Sequence, residues 1–439
     1  MFDNLFGWFR RKAEPRPDIM FGRYSDNNKT VTQVNRWTDA DNLFKEKKYQ
    51  QSVDAFFDYL RDNSKRNVET ERKGELLNFT IYQGSKVVRG HCDARRVTAE
   101  VSLARMPEPS IPVMRRLLEQ NYLLYYTRYT LHDDRICMRF DSEIETANPN
   151  KLYYGLKELA TKADKQDDLL VQDFATLEQI DTDHIEQLPD NEKKVKLEYF
   201  RSFIRQTVEY IDTLDKDKLA GGISYMLLAL GYRLDFLIAP EGKLLQEMEK
   251  IVSIYFSKEE RSAQEKNHLM TEAYRKMLDK KDDQILPYLF RSTSTFSIVA
   301  PQPHKVISDA IQTAMQNMQW YKDNKYPEIA RQIMEYGISY CQYSYSLPRP
   351  LSQLFMIFME INYPGFFPAI GFKGQLYDPA SNQFEKEEIE DGIEFIISTW
   401  MDKYPFLMWK PTNIRYDNIL SFNQSFLSEI QGLNFDGIK

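Results

Sequence analysis

The stretch that decides the fold spans residues 110–174 and reads SIPVMRRLLEQNYLLYYTRYTLHDDRICMRFDSEIETANPNKLYYGLKELATKADKQDDLLVQDF. Ser110 can cap a helix, and Pro112 fits a first helical turn, where backbone donors lack partners anyway. Two short β-type runs flank residues 132–134, His-Asp-Asp, which have turn composition. Residues 148–149, Asn-Pro, then open another helix. The stretch therefore predicts a helix, a β-hairpin and a second helix.

The first of these helices has more apolar positions than one packing surface needs, since they cover about half of its circumference. The apolar positions at helical spacing are Ile111, Val113, Met114, Leu117, Leu118, Tyr122, Leu124 and Tyr125. We predict that one face covers a sheet and that the flank with Arg115, Tyr122 and Tyr126 meets a second surface. Asn121 lies inside the stripe, so we expect its amide to be buried with hydrogen-bond partners.

The preceding residues complete a domain. Residues 31–63 have helical periodicity, and residues 75–105 change to the alternating period of three strands. With the hairpin, these strands predict one five-stranded antiparallel sheet within residues 38–178. His91-Cys92 lies between two strands, but a zinc site needs further ligands close by, and none is encoded there. We therefore predict no metal site.

The element order of helix, three strands, helix, two strands and helix resembles the type III secretion chaperone-like fold, in particular YbjN-like proteins. The resemblance rests on PVMRRLLEQNYLLYYTRYTLHDDRICMRF and KLYYGLKELATKADKQDDLL, and it covers about residues 38–178. It implies a small domain that binds other proteins, often as a dimer. It implies no active site. The long second half of this chain departs from the family pattern.

The remainder of the chain is helical almost throughout from residue 191. An ungapped echo pairs LFKEKKYQQSVDAFFDYL at 43–60 with WYKDNKYPEIARQIMEYG at 320–337, and both resemble tetratricopeptide-type helix pairs. Residues 373–384 predict a small hairpin or a loop. The predicted fold class is therefore α+β followed by all-α. Its divisions are an N-terminal segment and linker at 1–30, an α+β domain at 31–178, an acidic linker at 179–190 and a helical domain at 191–439.

Several aromatic segments are candidates for partner binding. The start of the chain is amphipathic, which favours a docking element for a membrane surface or a partner groove; packing on its own domain is the alternative. Tyr- and Pro-rich sequences near residues 340–350 fit either a peptide groove or a rigid buried crossover. The candidate partner-binding residues are Phe2, Leu5, Phe6, Trp8, Phe9, Arg115, Tyr122, Tyr126, Tyr343 and Tyr345.

Composition excludes several classes of protein. The formal charge of −7 argues against a general binder of phosphate backbones. The three cysteines form no close pair, which fits a reducing compartment without a disulfide framework. No apolar run approaches the roughly 20 residues that span a bilayer, and no signal peptide is recognised. We expect a cytoplasmic bacterial protein.

Catalytic motifs are not encoded. A glycine-rich phosphate loop, HExxH and GxSxG are all missing from the sequence. One carboxylate–histidine cluster, from Asp181 to Asp190 within residues 175–192, lacks the spacing and glycine of an EF-hand, so a solvated acidic linker is the favoured interpretation. We predict no catalytic residue, no cofactor and no bound metal.

These observations predict a non-catalytic adaptor or chaperone-like regulatory protein that binds another protein. Two alternatives stay open: an enzyme or small-ligand sensor with a pocket at the domain junction, and a peripheral membrane scaffold that uses residues 1–12. A nucleic-acid partner is not expected. A monomer is favoured over a homodimer, because an intramolecular cover for the second helix surface has a high effective concentration.

Overall fold

A computed structural model describes residues 17–62 and 65–436, apart from the side chain of Asp168. The chain divides into two compact units, and each unit is discontinuous in sequence. An α+β unit contains residues 29–186 and 291–298. A helical unit contains the described residues 17–28, 187–290 and 299–436. The class is therefore mixed α and β, with an antiparallel sheet and many helices.

The α+β unit begins with two helices and continues with the strands of its sheet. In chain order its elements are α1 (Val31–Lys45), α2 (Tyr49–Leu60), β1 (Val68–Lys73), β2 (Leu76–Gln83), β3 (Lys86–Cys92), β4 (Arg96–Arg105), α3 (Ile111–Asn121), β5 (Thr127–His132), β6 (Arg135–Glu143), α4 (Pro149–Asp173) and β7 (Glu178–Gln179).

The sheet has the strand order β1-β2-β3-β4-β6-β5, and all the strand pairs are antiparallel. The short β7 pairs with the end of β4, at Ala104 and Arg105. The five predicted strands are present in this one sheet. The first strand, VETERK, was not predicted, because an edge strand with a charged, solvated face lacks the apolar alternation that marks a strand.

Helices α2 and α4 supply much of the apolar cover of the sheet. Their buried side chains share one core with β2, β4 and β6. Phe56 and Phe57 come from α2, and the Phe57 ring lies 4.5 Å from that of Phe79 on β2. Gly155 allows α4 to approach the sheet closely, because a Cβ there would lie 2.3 Å from the ring of Phe140 on β6.

A short segment far along the chain completes this unit. Residues 291–298 belong to this unit, although residues 187–290, which precede them in sequence, belong to the helical unit. Thr295, Phe296 and Ser297 are fully buried, and Phe296 joins the core of the sheet. The sequence predicted only a break here, because one phenylalanine within a Ser/Thr run has no detectable period.

The helical unit contains the remaining α-helices and several two-residue β-strands. Its elements, with two strands at the points where the chain passes between units, are β8 (Glu186–Gln187), α5 (Asp190–Asp212), α6 (Ala220–Arg233), α7 (Gly242–Phe256), α8 (Ala263–Leu278), β9 (Phe290–Arg291), α9 (His304–Asp323), α10 (Pro327–Ser344), α11 (Arg349–Asn362), α12 (Phe366–Ala369), β10 (Tyr377–Asp378), β11 (Gln383–Phe384), α13 (Lys386–Trp400) and α14 (Ile419–Gln431). Strands β10 and β11 form the small hairpin that the sequence predicted as one option for residues 373–384.

Helix α6 is the core helix of this unit and continues into a π-helical turn at Leu234–Ile238. The stretch Ala220–Ile238 is long and apolar enough to cross a membrane by length and composition, but 89% of that window is buried inside the protein. Such burial is expected of a core helix, which is how the sequence was interpreted.

Residues 17–28 pack within the helical unit, whereas the sequence predicted a linker over residues 13–30. Ile19 is buried, and the ring of Phe21 lies 5.6 Å from that of Phe367. Arg23 forms a forked pair with Asp235 in the π-helical turn, at 3.1 and 2.9 Å. The sequence did not identify Ile19, Phe21 and Arg23 as packed residues, because isolated apolar side chains among prolines and polar residues give no periodic signal.

The two echoed sequences are both helical hairpins, α1–α2 and α9–α10. Their equivalence is shifted by one residue from the ungapped alignment. The amide of Lys48 donates to Leu43 O at 2.9 Å, and that of Tyr326 donates to Tyr321 O at 2.8 Å. Tyr326 therefore corresponds to Lys48 in structure, and to Tyr49 in the alignment.

Candidate functional site

Helix α3 packs one narrow face on the α+β core and leaves a broad apolar face exposed. Val113 and Leu117 are its buried residues. Ile111 and Leu118 keep 79% and 65% of their surface exposed, and Tyr122, just after the helix, keeps 91%. We call the following exposed set the α3 surface: Ile111, Met114, Leu118, Tyr122, Leu123, Tyr125, Tyr126 and Leu131.

The α3 surface is large for an uncovered patch. A large aromatic side chain buries about 150–250 Å² when covered, so these eight partly exposed residues offer on the order of 1,000 Å². An ordinary monomer exposes a largest apolar patch of roughly 300–600 Å², whereas a stable interface covers about 800 Å² on each partner. The area therefore matches a macromolecular partner better than a small ligand.

The aromatic end of the α3 surface is held by a carboxylate from α4. Glu158 accepts hydrogen bonds from the backbone amides of Tyr125, Tyr126 and Thr127 at 2.9, 2.7 and 3.0 Å. The hydroxyl of Thr127 donates to the same carboxylate at 3.0 Å. Charge-assisted bonds of this kind fix a loop well. The tyrosines are therefore presented on an ordered backbone.

The outer edge of the sheet beside this surface is partly closed. Strand β5 is an edge strand, and the amide of Tyr129 donates to Asn121 Oδ1 at 2.9 Å. Together with Glu158 at Thr127, Asn121 blocks two backbone donors that an added strand would need. The predicted partner for the Asn121 amide group is present, although the side chain is half-buried rather than buried. Backbone pairing at this edge is therefore restricted.

The predicted site residues have different locations. Tyr122 and Tyr126 belong to the α3 surface, and Arg115 is exposed on the same helix. Phe2, Leu5, Phe6, Trp8 and Phe9 lie outside the described residues. The candidate list did not include Leu123 and Tyr125, which are among the most exposed apolar residues of the surface. Their position after the helix end at Asn121 could not be read from the continuous apolar stripe.

Tyr343 and Tyr345 lie in the helical unit among other tyrosines. The guanidinium of Arg23 lies 3.9 Å from the centre of the Tyr343 ring, and Tyr232 stacks near it at 4.6 Å. Tyr345 contacts Tyr340, with 3.3 Å between the hydroxyl oxygens. Burial raises the pKa of Tyr343 to about 12, so its hydroxyl stays protonated. Both tyrosines are half-buried and contact their own unit.

The helical unit contains a second group of titratable side chains, which form a buried ionic cluster. Arg233 forms a bidentate pair with Glu335 at 2.7 and 2.9 Å, and Tyr363 donates to the same carboxylate. Burial lowers the pKa of Arg233, but the charge of Glu335, the nearby Tyr363 and the hydrogen bond to Glu335 together outweigh it, and the net pKa is raised. These groups neutralise one another, which makes the cluster a core feature.

The carboxylate–histidine cluster of residues 181–186 is bound to the sheet of its own unit. Arg89 on β3 donates to both oxygens of Asp181 at 2.6 and 2.8 Å, and buried Lys86 donates to Ile180 O at 2.9 Å. Burial lowers the pKa of His184. The interpretation as a wholly solvated linker is therefore wrong for Asp181. Within the part of the chain that the structure describes, no three metal-ligating side chains come together.

One pocket in the helical unit is lined by Glu360, Phe367, Lys373 and Glu388 among others, and its volume is about 10 Å³. That space holds about one water molecule.

No protein-family model matches the chain, and no curated protein matches it either.

Proposed function

We propose that the protein is a non-catalytic adaptor whose α+β unit binds another protein through the α3 surface. The exposure of Tyr122 and Tyr125, at 91% and 92%, carries this proposal. Tyrosine and arginine are enriched where interfaces concentrate their binding energy, and Arg115 is exposed on α3. Two exposed aromatics on an ordered loop can bury a large area at little cost in conformational entropy.

The resemblance to YbjN-like and type III secretion chaperone-like proteins supports the same role. In this proposal the protein acts in the bacterial cytoplasm, needs no cofactor and binds no nucleic acid. Binding by residues 1–12 to a membrane surface is a separate expectation. The expected intramolecular cover of this helix face is absent from the described chain, since Leu118, Tyr122 and Tyr126 are exposed. A monomer that keeps the α3 surface open for its partner is the proposed free state.

Site-specific photocrosslinking in cells tests this function. A crosslinking amino acid placed at Tyr125 of the full chain should give one dominant covalent product with another protein. The double variant Leu118→Ser/Tyr122→Ser should reduce the yield of that product about tenfold, because each exposed anchor contributes more than about 1 kcal/mol at an interface centre.

The matched control is Phe256→Ser, which alters an apolar residue of the helical unit that is 55% exposed. It should leave the crosslink yield unchanged. A yield that is equal in all three proteins would contradict the proposal, provided that circular dichroism shows the variants to be folded. A product made only of two copies of this chain would replace the adaptor role with self-association.

A further inference from the structure

The α+β unit contains a cleft that is filled by another piece of the same chain, residues 293–297, whose backbone bends at Thr295 and Phe296. Thr293 pairs with Gly84 in an isolated antiparallel bridge, and the Gly84 amide donates to Thr293 O at 3.0 Å. Gly84 has a φ of +55°, and a Cβ there would lie 2.0 Å from Asp164 Oδ1. Glycine therefore allows the turn between β2 and β3 to approach Asp164 on α4 while its amide bonds the segment.

The side-chain amide of Gln83 forms hydrogen bonds with the backbone of the segment. Gln83 Oε1 accepts hydrogen bonds from the backbone amides of Thr295 and Phe296 at 3.1 and 2.9 Å. Its Nε2 donates to Phe296 O at 3.3 Å. Gln83 is 1% exposed, so these bonds form away from water. One side chain thus bonds two successive amides and one carbonyl, which the bent backbone presents on the same side.

Side-chain recognition adds to this backbone recognition. The hydroxyl of Thr295 lies 3.0 Å from Asn67 O and 2.8 Å from Tyr82 O, so its single hydrogen can bond either carbonyl. Phe296 inserts into the core, 1% exposed, and its ring meets the edge of Tyr153 at 5.7 Å. Asn67 is itself fixed, because its Nδ2 donates to Leu60 O.

These contacts have the form of a peptide-recognition site: paired backbone groups give affinity, and pockets for particular side chains give specificity. We propose that the cleft formed by Asn67, Tyr82, Gln83 and Tyr153 recognises short peptides that bend at a threonine followed by phenylalanine, and that residues 293–297 are its built-in occupant. The α3 surface contributes none of these residues, so the inference is independent of the proposed adaptor function.

The built-in occupant competes with any external peptide. A tethered segment acts at an effective concentration in the millimolar range, so the wild-type chain should bind an external copy weakly. Weakening the internal anchor should open the site. The test therefore uses the full chain with Phe296→Ala and a fluorescent synthetic peptide of residues 291–299, RSTSTFSIV.

Fluorescence anisotropy should show that the Phe296→Ala chain binds the peptide at least about tenfold more tightly than the wild-type chain does. A peptide in which the phenylalanine is alanine should bind about tenfold more weakly, and so should one with valine at the position of Thr295. Adding Gln83→Ala to the Phe296→Ala chain should remove the gain.

Equal binding of the phenylalanine and alanine peptides, or no binding, by a Phe296→Ala chain that still unfolds cooperatively would overturn the proposal, and the cleft would then be a fixed part of the core. If Phe296→Ala prevents folding, hydrogen exchange of the wild-type chain decides. With millimolar peptide, the amides of Thr295 and Phe296 should exchange several-fold faster, because displacement releases both from Gln83. Unchanged exchange at these two amides would overturn it.

Discussion

Glu335 is a buried acid, and its partner Arg233 is 102 residues away in sequence. At the residue scale such a pair is fixed by geometry, because an uncompensated charge in a core costs several kcal/mol. The sequence offered no means to match them: both lie in helical runs with many other charges. The hydrogen-bond partner predicted for Asn121 is present for the opposite reason, since one amide inside an apolar stripe must find a nearby partner, but the predicted full burial is wrong.

We expect Glu335→Gln to lower the free energy of unfolding by about 3–5 kcal/mol, because Arg233 would keep its charge in the core without a counter-charge. Urea denaturation followed by circular dichroism measures the change. Glu272→Gln is the matched control: Glu272 pairs with Arg275 at the surface, where such pairs contribute about 0–1 kcal/mol. Similar losses in the two variants would show that the Arg233 pair has no special weight.

A second residue-scale prediction concerns His304. Its Nε2 donates to Ile430 O at 2.9 Å, and its buried Nδ1 has no hydrogen-bond partner within the described chain. Burial lowers the pKa of His304 below the value near 6.5 of an unfolded histidine. As the pH falls below about 6.5, the unfolded state takes up the proton first, so stability is lost on acidification and is fully present above that pH.

His304→Gln keeps a side-chain donor but cannot titrate. Urea denaturation at pH 7.5, 6.5 and 5.5 should therefore show wild type losing stability relative to the variant below pH 6.5, by at most about 1.4 kcal/mol per pH unit for one proton. Carboxylates and the other histidines affect both proteins equally and cancel in the difference. A difference that is independent of pH would contradict this role.

At the element scale, hydrophobic periodicity identified most helices and strands. It did not identify the ends of helices or the strand at the edge of the sheet. The apolar stripe at 111–125 continues past the end of α3, because helical spacing persists through the loop that Glu158 holds. The repeat echo identified two hairpins but misplaced their register by one residue. A positive φ at Lys47 and at Lys325 sets each turn, and no sequence pattern marks lysine for that conformation.

The loop at the end of α3 should depend on one carboxylate. We expect Glu158→Ala to leave three amides without their acceptor and to destabilise the unit by about 1–3 kcal/mol. Hydrogen exchange should accelerate at Tyr125, Tyr126 and Thr127, whereas amides in the core of β4 should change less. Unaltered protection of the three loop amides would mean that other contacts order the loop. The control, Glu119→Ala, changes an exposed glutamate of α3 itself.

At the scale of the whole molecule, the sequence predicted an α+β part and a helical part but treated each as continuous. The structure gives each part a segment from elsewhere: residues 17–28 join the helical unit, and residues 291–298 join the α+β unit. Each segment is anchored by a few buried side chains and by bonds to partners more than 200 residues away. Local composition cannot reveal such partners, and both segments therefore resembled linkers or breaks.

This arrangement predicts how the α+β unit behaves alone. A fragment of residues 29–186 lacks Phe296, so its core has a cavity and the amide of Gln83 has lost its peptide partners. Loss of a buried phenylalanine side chain costs about 3–5 kcal/mol, a large share of the 5–15 kcal/mol that stabilises a typical domain. The fragment should therefore unfold at a markedly lower temperature than the same fragment joined to residues 291–298 by a flexible Gly/Ser linker. Scanning calorimetry measures the melting temperatures of the two fragments.

The control is the fragment joined to residues 291–298 with Phe296→Ala, which should recover little of the stability. Equal melting temperatures for all three fragments would show that residues 29–186 form a complete unit and that the segment merely rests on it.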